Sequence, residues 1–145
     1  MELKRILVAT DFSDTSEAAL EYAIDLARTL GAKITLVHLY ELPVYTFPSG
    51  AMVATAEFAT QLMTGAQEAT EAECAKHAKD GVDITPLVRE GTAWEEIHKI
   101  ADELGSDLIV IGTHGRRGIT HALLGSVAEK IIRTATRPVL TIRKR

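Results

Sequence analysis

Cysteine is almost missing from this chain: Cys74 is the only one in 145 residues. A lone cysteine excludes a disulfide framework and a thiolate zinc site. It falls in an alanine-rich helical stretch, where it reads as a small apolar filler rather than a nucleophile, and a reducing cytoplasm fits. No apolar run approaches the roughly 18 residues that a membrane-spanning helix needs, so no membrane insertion is expected. The start, MELKRILVAT, runs straight into a strand pattern with no apolar signal region or small-residue cleavage site, which predicts no signal peptide. Internal repeats and low-complexity linkers are missing too. So is a Walker A loop, GxxxxGK[ST], which excludes an ordinary P-loop ATPase. No Ser-His-Asp or Cys-His arrangement stands out. The net charge of −4 argues against nucleic acid as the main partner, although basic residues gather at Arg116-Arg117 and Arg143-Lys144-Arg145.

What is present is an ordinary globular balance, 46% hydrophobic and 25% charged, in a length that predicts one domain over residues 1–145. Ile6-Leu7-Val8-Ala9 is a short apolar run of the kind buried on both faces of a sheet. A helix follows, with Ala19, Leu20, Ala23, Ile24, Ala27 and Leu30 on one stripe and Gly31 as its stop. Ile34 to Leu39 reads as the second strand and residues 41–53 as a loop carrying Tyr45 and Phe47. An alanine-rich helix is expected from about Ala54 to Lys79, with a break at Gly65 an open alternative. Val82 to Val88 is a third strand, and Pro86 favours an edge position because proline cannot donate to the ladder.

Thr92-Ala93-Trp94-Glu95 reads as a capping box for a helix ending at Gly105, with Trp94 a packing residue. Leu108 to Ile111 is the fourth strand. Ser126-Val127-Ala128-Glu129 reads as a second capping box, its helix reaching about Ala135, and Val139 to Ile142 is the last strand. Alternation of strands and helices with short connections predicts a parallel sheet with helices on both faces. Ligands bind such sheets beyond the carboxyl ends of the strands, where the winding reverses. Asp11 and the loop after Gly112 both lie at such ends.

The most informative stretch is IVIGTHGRRGITHALLGSVAEK, residues 109–130. A strand ends at Gly112, Gly115 follows, nine residues pass, and Gly125-Ser126 opens a helix. Glycines let a backbone approach a phosphate chain or take positive φ, and a helix start offers unpaired N–H groups and a positive dipole end. A Cβ branch at Gly125 is expected to fill phosphate space while leaving the fold intact. The architectural reading, with glycines serving a tight loop and Ser126 only a cap, stays open. So does a capping role for Asp11, Ser13 and Ser16. His114, Arg116 and Arg117 are either a charge-neutralising loop or solvated residues, and His38 reads as a partly buried structural residue.

The G-2x-G-9x-G-S spacing, the opening ILVATDFSDTSEAALEYA and the ending RPVLTIRKR resemble the ATP-binding branch of the universal stress protein family, along the whole chain. The resemblance implies an α/β fold of the adenine nucleotide alpha hydrolase-like kind. That fold is a three-layer, open, five-stranded parallel sheet of order 3-2-1-4-5 with helices on both faces. It implies ATP, with Mg²⁺ or Mn²⁺ held through its phosphates, at the carboxyl edge of the sheet. Ala9, Thr10 and Asp11 would line the adenosine end, Asp11 accepting from the ribose hydroxyls, and Leu39 would meet adenine through its backbone. Ile111, Gly112, Gly115, Arg116, Gly125, Ser126 and Val127 would complete the phosphate side. Ala9 stands where many relatives have proline, and Ala128 where some carry a hydroxyl.

The family also pairs two copies through the last strand. Val139 to Ile142 would otherwise leave an apolar sheet edge exposed, an aggregation hazard that a two-fold contact removes. The expected function is a cytoplasmic, homodimeric, nucleotide-dependent regulator in stress response, with occupancy biasing the segment between Gly115 and Gly125 and an unidentified protein downstream. The alternatives are a slow ATP hydrolase or phosphotransferase assisted by His114 or Asp11, and a nucleotide-free dimerisation scaffold. A response-regulator phosphoacceptor site, suggested by Asp11, Asp14 and Glu17, fails because strand three ends in Arg89-Glu90-Gly91 instead of the required Asp.

Overall fold

In a computed structural model, residues 2–53, 55–114 and 124–144 are described. β1 (Arg5–Thr10) leads through α1 (Asp14–Leu30) to β2 (Lys33–Tyr40). A hairpin of β3 (Val44–Phe47) and β4 (Gly50–Val53) precedes α2 (Ala56–Lys76). Then come β5 (Ile84–Glu90), α3 (Ala93–Glu103), β6 (Leu108–Gly112), α4 (Ser126–Thr134) and β7 (Val139–Ile142). The main sheet has the order β5-β2-β1-β6-β7. Every pairing in it is parallel. Counting only those five strands, the order is the expected 3-2-1-4-5. Pro86 lies in β5, at the sheet edge, where its missing N–H leaves no ladder bond unmade.

The apolar runs divide by parity. Ile6 and Val8 of β1, with Ile34 and Leu36 of β2, face α1 and its buried stripe of Ala19, Leu20, Ala23, Ile24 and Ala27. Leu7 of β1 and Val37 of β2 face the other way, onto Ile97, Ile100 and Ala101 of α3 and Ala128 and Ile131 of α4. Strands buried on both faces therefore have no polar side to alternate with, and each fully buried Leu or Ile contributes on the order of 1.5–3 kcal/mol. Cys74 of α2 packs partly buried against the first cluster, as a filler. Burial, together with the neighbouring Glu73 and Glu71 carboxylates, pushes its thiol above the ordinary range, which disfavours the thiolate.

Local geometry agrees with the sequence at α1: Ser13 caps its start, accepting from the Ser16 N–H, and Gly31 ends it in the left-handed conformation at φ 63°. Elsewhere it differs. Residues 41–53 are not a plain loop, because Val44–Phe47 pairs antiparallel with Gly50–Val53 around a Pro48-Ser49 turn. The β-branched and aromatic residues of the first arm, Val44-Tyr45-Thr46-Phe47, favour the pairing. α2 runs unbroken through Gly65 and stops at Lys76, where a short 3₁₀ turn, Ala78–Asp80, takes over. Neither expected capping box forms. Thr92 is the N-cap of α3 but its hydroxyl makes no capping bond; its carbonyl accepts from Glu95 and Glu96 instead. α4 is capped by Gly125, so Ser126 is already inside the helix, and Glu129 reaches forward to Arg133 at 2.8 Å. Among the described residues no helix is long and apolar enough to cross a membrane.

The amino end of the sheet is tied by Asp107, whose Oδ2 accepts from the Lys4 and Arg5 N–H groups at 2.9 Å each. Those two bonds, Lys4's first, hold its carboxyl below the usual carboxylate range. A lowered folded-state value means that the carboxylate stabilises above its ordinary pKa of 3.8, and that this is lost as pH falls through the lower folded value. Asp107→Asn should therefore be less stable than the parent at pH 7 in urea unfolding. The gap should close as the pH drops below 3.8; a gap independent of pH would refute the charge-assisted role.

Candidate functional site

β1 stands between β2 and β6, and the crossovers that reach these neighbours lie on opposite faces of the sheet: α1 packs on one face and α3 on the other. The chains leaving β1 and β6 therefore part, and a cleft of about 540 Å³ opens beyond the carboxyl ends. That volume lies within the range of small-molecule sites, about 300–1,000 Å³. Its floor is apolar: Val37 and Leu39 from β2, Ile111 from β6, Ile97 from α3 and Ile131 from α4. Ala9, Thr10 and Asp11 close one side, and Gly125, Ser126 and Val127 at the start of α4 close the other. Gly112, Thr113 and His114 form the rim between them.

Eleven of the residues singled out from the sequence thus meet at one cleft: Ala9, Thr10, Asp11, Ser16, Leu39, Ile111, Gly112, His114, Gly125, Ser126 and Val127. Gly115, Arg116 and Arg117, and the segment between Gly115 and Gly125, lie outside the described residues apart from Leu124. Val37, Ala93, Ile97 and Ile131 were not singled out. The spacing of Ala93 and Ile97, four apart on one helix face, was the available signal. Tyr45 and Phe47 stand 59% and 49% exposed on the hairpin, and neither lines the cleft.

The two glycines have definite backbone tasks. A Cβ on Gly112 would sit 2.9 Å from Thr15 Cγ2 and 3.0 Å from the Thr15 carbonyl, so the end of β6 is pressed against α1. A Cβ on Gly125 would sit 2.8 Å from the Thr113 oxygen, to which the Gly125 N–H donates at 2.7 Å. The missing Cβ at Gly125 therefore makes room for a protein carbonyl. This corrects the expectation that a side chain there would fill ligand space and spare the fold. Gly125 has φ −61°, so close approach, not left-handed geometry, demands glycine. A glycine at the cap supplies no side-chain bond to the first-turn N–H groups of α4, and that dipole-positive end borders the cleft.

The opposite wall is held by hydroxyls. Phe12 takes φ 61°, the one non-glycine residue at positive φ among the described residues, at a cost of about 1–2 kcal/mol. Its N–H donates to Thr10 Oγ1 at 3.0 Å, and Thr10 Oγ1 lies 3.2 Å from Ser16 Oγ. Ser16 Oγ in turn donates to the Ser13 carbonyl at 2.9 Å. Asp11 Oδ1 accepts from the Ser13 N–H at 3.0 Å, closing an Asx turn. His38 is structural, as expected: its Nδ1 donates to the Thr10 carbonyl at 2.9 Å.

Outside the cleft lining, Trp94 of α3 packs against the second core cluster with Lys130 Nζ 5.2 Å from its ring centre. His98 bridges α3 to α4 by donating from Nε2 to Thr134 Oγ1 at 2.7 Å, since that hydroxyl spends its own proton on the Lys130 carbonyl. Burial pushes the His98 imidazole below the ordinary histidine range, against the weaker pull of Asp102. Among the described residues no group of three His, Cys, Asp or Glu side chains is placed to hold a metal ion. The arrangement suits a ligand with a flat apolar part for the floor, hydroxyls for Asp11 and an anionic part for the α4 start.

These features define an open parallel α/β protein with a cleft at the point where the winding reverses. A model of the universal stress protein family matches residues 2–143. The chain is 34% identical over 142 residues to universal stress protein MJ0531 of Methanocaldococcus jannaschii, covering 97% of this chain and 82% of the relative. The solved structure of MJ0577, from the same organism, is similar with a TM-score of 0.82 at 26% identity, over 100% of this chain and 99% of that one. A universal stress protein from Archaeoglobus fulgidus, solved in complex with dAMP, is similar with a TM-score of 0.63 at 27% identity, over 98% and 99% of the two chains. The chain belongs to the universal stress protein family.

Gly125→Ala should cost about 1–3 kcal/mol in urea unfolding, because the added methyl must push α4 away from the Thr113 carbonyl. A neutral Gly125→Ala would mean that the docking of α4 on Thr113 is not needed for stability.

Proposed function

We propose that residues 1–145 form one domain that binds ATP in the cleft, with Mg²⁺ or Mn²⁺ carried on the phosphates, and that the protein works as a cytoplasmic homodimeric regulator in stress response. The observation that carries this reading is the meeting, in one cleft, of Asp11 and the glycine-capped start of α4, over a floor of branched apolar side chains. Adenine suits the floor beside Leu39, the ribose hydroxyls suit Asp11, and the phosphates suit the N–H groups of Ser126 and Val127 and the dipole behind them. Gly115 and Arg116 join the phosphate side in this proposal. A bound divalent cation supplies neutralisation of phosphate charge. The relative from Archaeoglobus fulgidus holds an adenine nucleotide, dAMP, which supports the ligand class.

The homodimer is proposed through β7. The carbonyls of Pro138 and Ile142 accept from Ile109 and Thr113 of the β6 side. In a parallel ladder the intervening odd residues, Val139 and Thr141, then turn their N–H and C=O groups to the open edge. A second copy of the strand would satisfy them.

Titrating ATP-Mg²⁺ while following thermal unfolding tests the binding, alongside identification of any nucleotide that co-purifies with the native protein. Ligand at 100 times its Kd should add about 2.7 kcal/mol, and Asp11→Ala should weaken ATP about tenfold, the loss of one charged acceptor. No shift with ATP, ADP or AMP at millimolar concentration would sink the reading. Turnover that disappears in His114→Ala would move it to the slow hydrolase. Thr141→Pro, which removes an outward N–H and leaves the β6 ladder intact, should convert the dimer to monomer in sedimentation. A parent that sediments as a monomer refutes the interface.

A further inference from the structure

Phe12 is a costly residue in a place where glycine would be free. It sits at φ 61° between Asp11, which lines the cleft, and Ser13, the cap of α1. Its ring rests on His38 with centroids 4.5 Å apart and planes tilted by 41°. His38 is itself immobilised, because its Nδ1 donates to the Thr10 carbonyl and its backbone is in register with Thr10 across β1 and β2. The next residue of β2, Leu39, lines the cleft floor.

We infer that Phe12 is the positioning residue of the cleft: its ring, clamped on His38, holds the left-handed turn that presents Asp11 to the hydroxyls of a bound ribose. The physical basis is a short chain of constraints. The left-handed residue lets the chain pass from extended β1 to the Ser13 cap in one step, so that Asp11 stays at the cleft while α1 packs on the other face of the sheet. The Phe12 N–H to Thr10 Oγ1 bond and the Asp11 Oδ1 to Ser13 N–H bond set this turn from within. The ring on His38 adds a tie from Phe12 itself to the strand that carries the floor. A glycine would adopt the same φ without strain, but it would lose the ring contact that fixes residue 12 against β2. Backbone strain retained by packing at a binding site is a recognised way of pre-organising it.

This inference rests on the nucleotide reading, and the test separates the two. Phe12→Ala and Phe12→Gly should each weaken ATP about tenfold by calorimetry, equal to about 1.4 kcal/mol. Binding of 2′,3′-dideoxy-ATP, which has no hydroxyls for Asp11, should be unchanged. Phe12→Tyr keeps the ring and should bind ATP like the parent. In the free variants, amide exchange at Ser13 should quicken in Phe12→Ala and Phe12→Gly but not in Phe12→Tyr. Equal losses for both nucleotides would make Phe12 a general structural residue and overturn the inference, as would full ATP affinity in Phe12→Ala. A parent that binds no adenine nucleotide would overturn the nucleotide reading and the ribose role together. Unchanged Ser13 exchange in Phe12→Ala would overturn the clamp by itself.

Discussion

β1 has hydrogen-bonded neighbours on both sides and apolar layers on both faces, and the rest of the molecule is arranged around meeting that double demand. The chain reaches β2 directly through α1. It reaches β6 only after winding the whole of the first half, and it arrives with α3 on the opposite face. The helices that follow the neighbouring strands β1 and β6, α1 and α4, lie on opposite faces, so the two chains separate at the carboxyl ends. The cleft is the space they leave. Its floor is the upper edge of the second core cluster, so the packing that stabilises the fold also shapes the site.

Around that space the backbone does much of the work usually assigned to side chains. Gly112 and Gly125 are where main-chain segments touch: β6 against α1, and α4 against the carbonyl of Thr113. The second contact replaces a conventional cap with a glycine, so the first N–H groups of α4 have no side-chain partner at the cap. Across the cleft, Thr10, Ser13 and Ser16 form a chain of hydroxyls that supports Phe12 in an unfavourable conformation. One element of the cleft brings a glycine-capped helix start to it and another fixes an acceptor. That asymmetry underlies the proposed orientation of a nucleotide.

Much of this was legible before any coordinates. The doubly apolar strands, the stripe of α1, the Gly31 stop and the edge proline at Pro86 each follow from local chemistry that one segment carries alone. The sheet order came from the family resemblance, and the pairings agree with it. The misreadings have a common cause. Ser126 and Glu129 have the spacing of a capping box, but the Thr113 carbonyl pulls the helix start back by one residue to Gly125. The 41–53 segment has turn residues, yet Val44–Phe47 and Gly50–Val53 find each other across the turn. In both cases a contact outside the local window decided between two locally acceptable states.

By itself, then, the sequence determined the alternation of elements, which faces are apolar and which loops carry glycine, because periodicity and turn chemistry act within a few residues. It also placed Asp11, Leu39 and Gly112 at strand ends. Only the tertiary structure decided that these ends converge with Val37, Ile97 and Ile131 on one volume. Only there does Gly125 prove to be shaped by Thr113, and Phe12 prove to bear strain against His38. Those outcomes depend on distances between segments separated by tens of residues, which no local pattern encodes. They are set by the close packing of the two faces of the sheet.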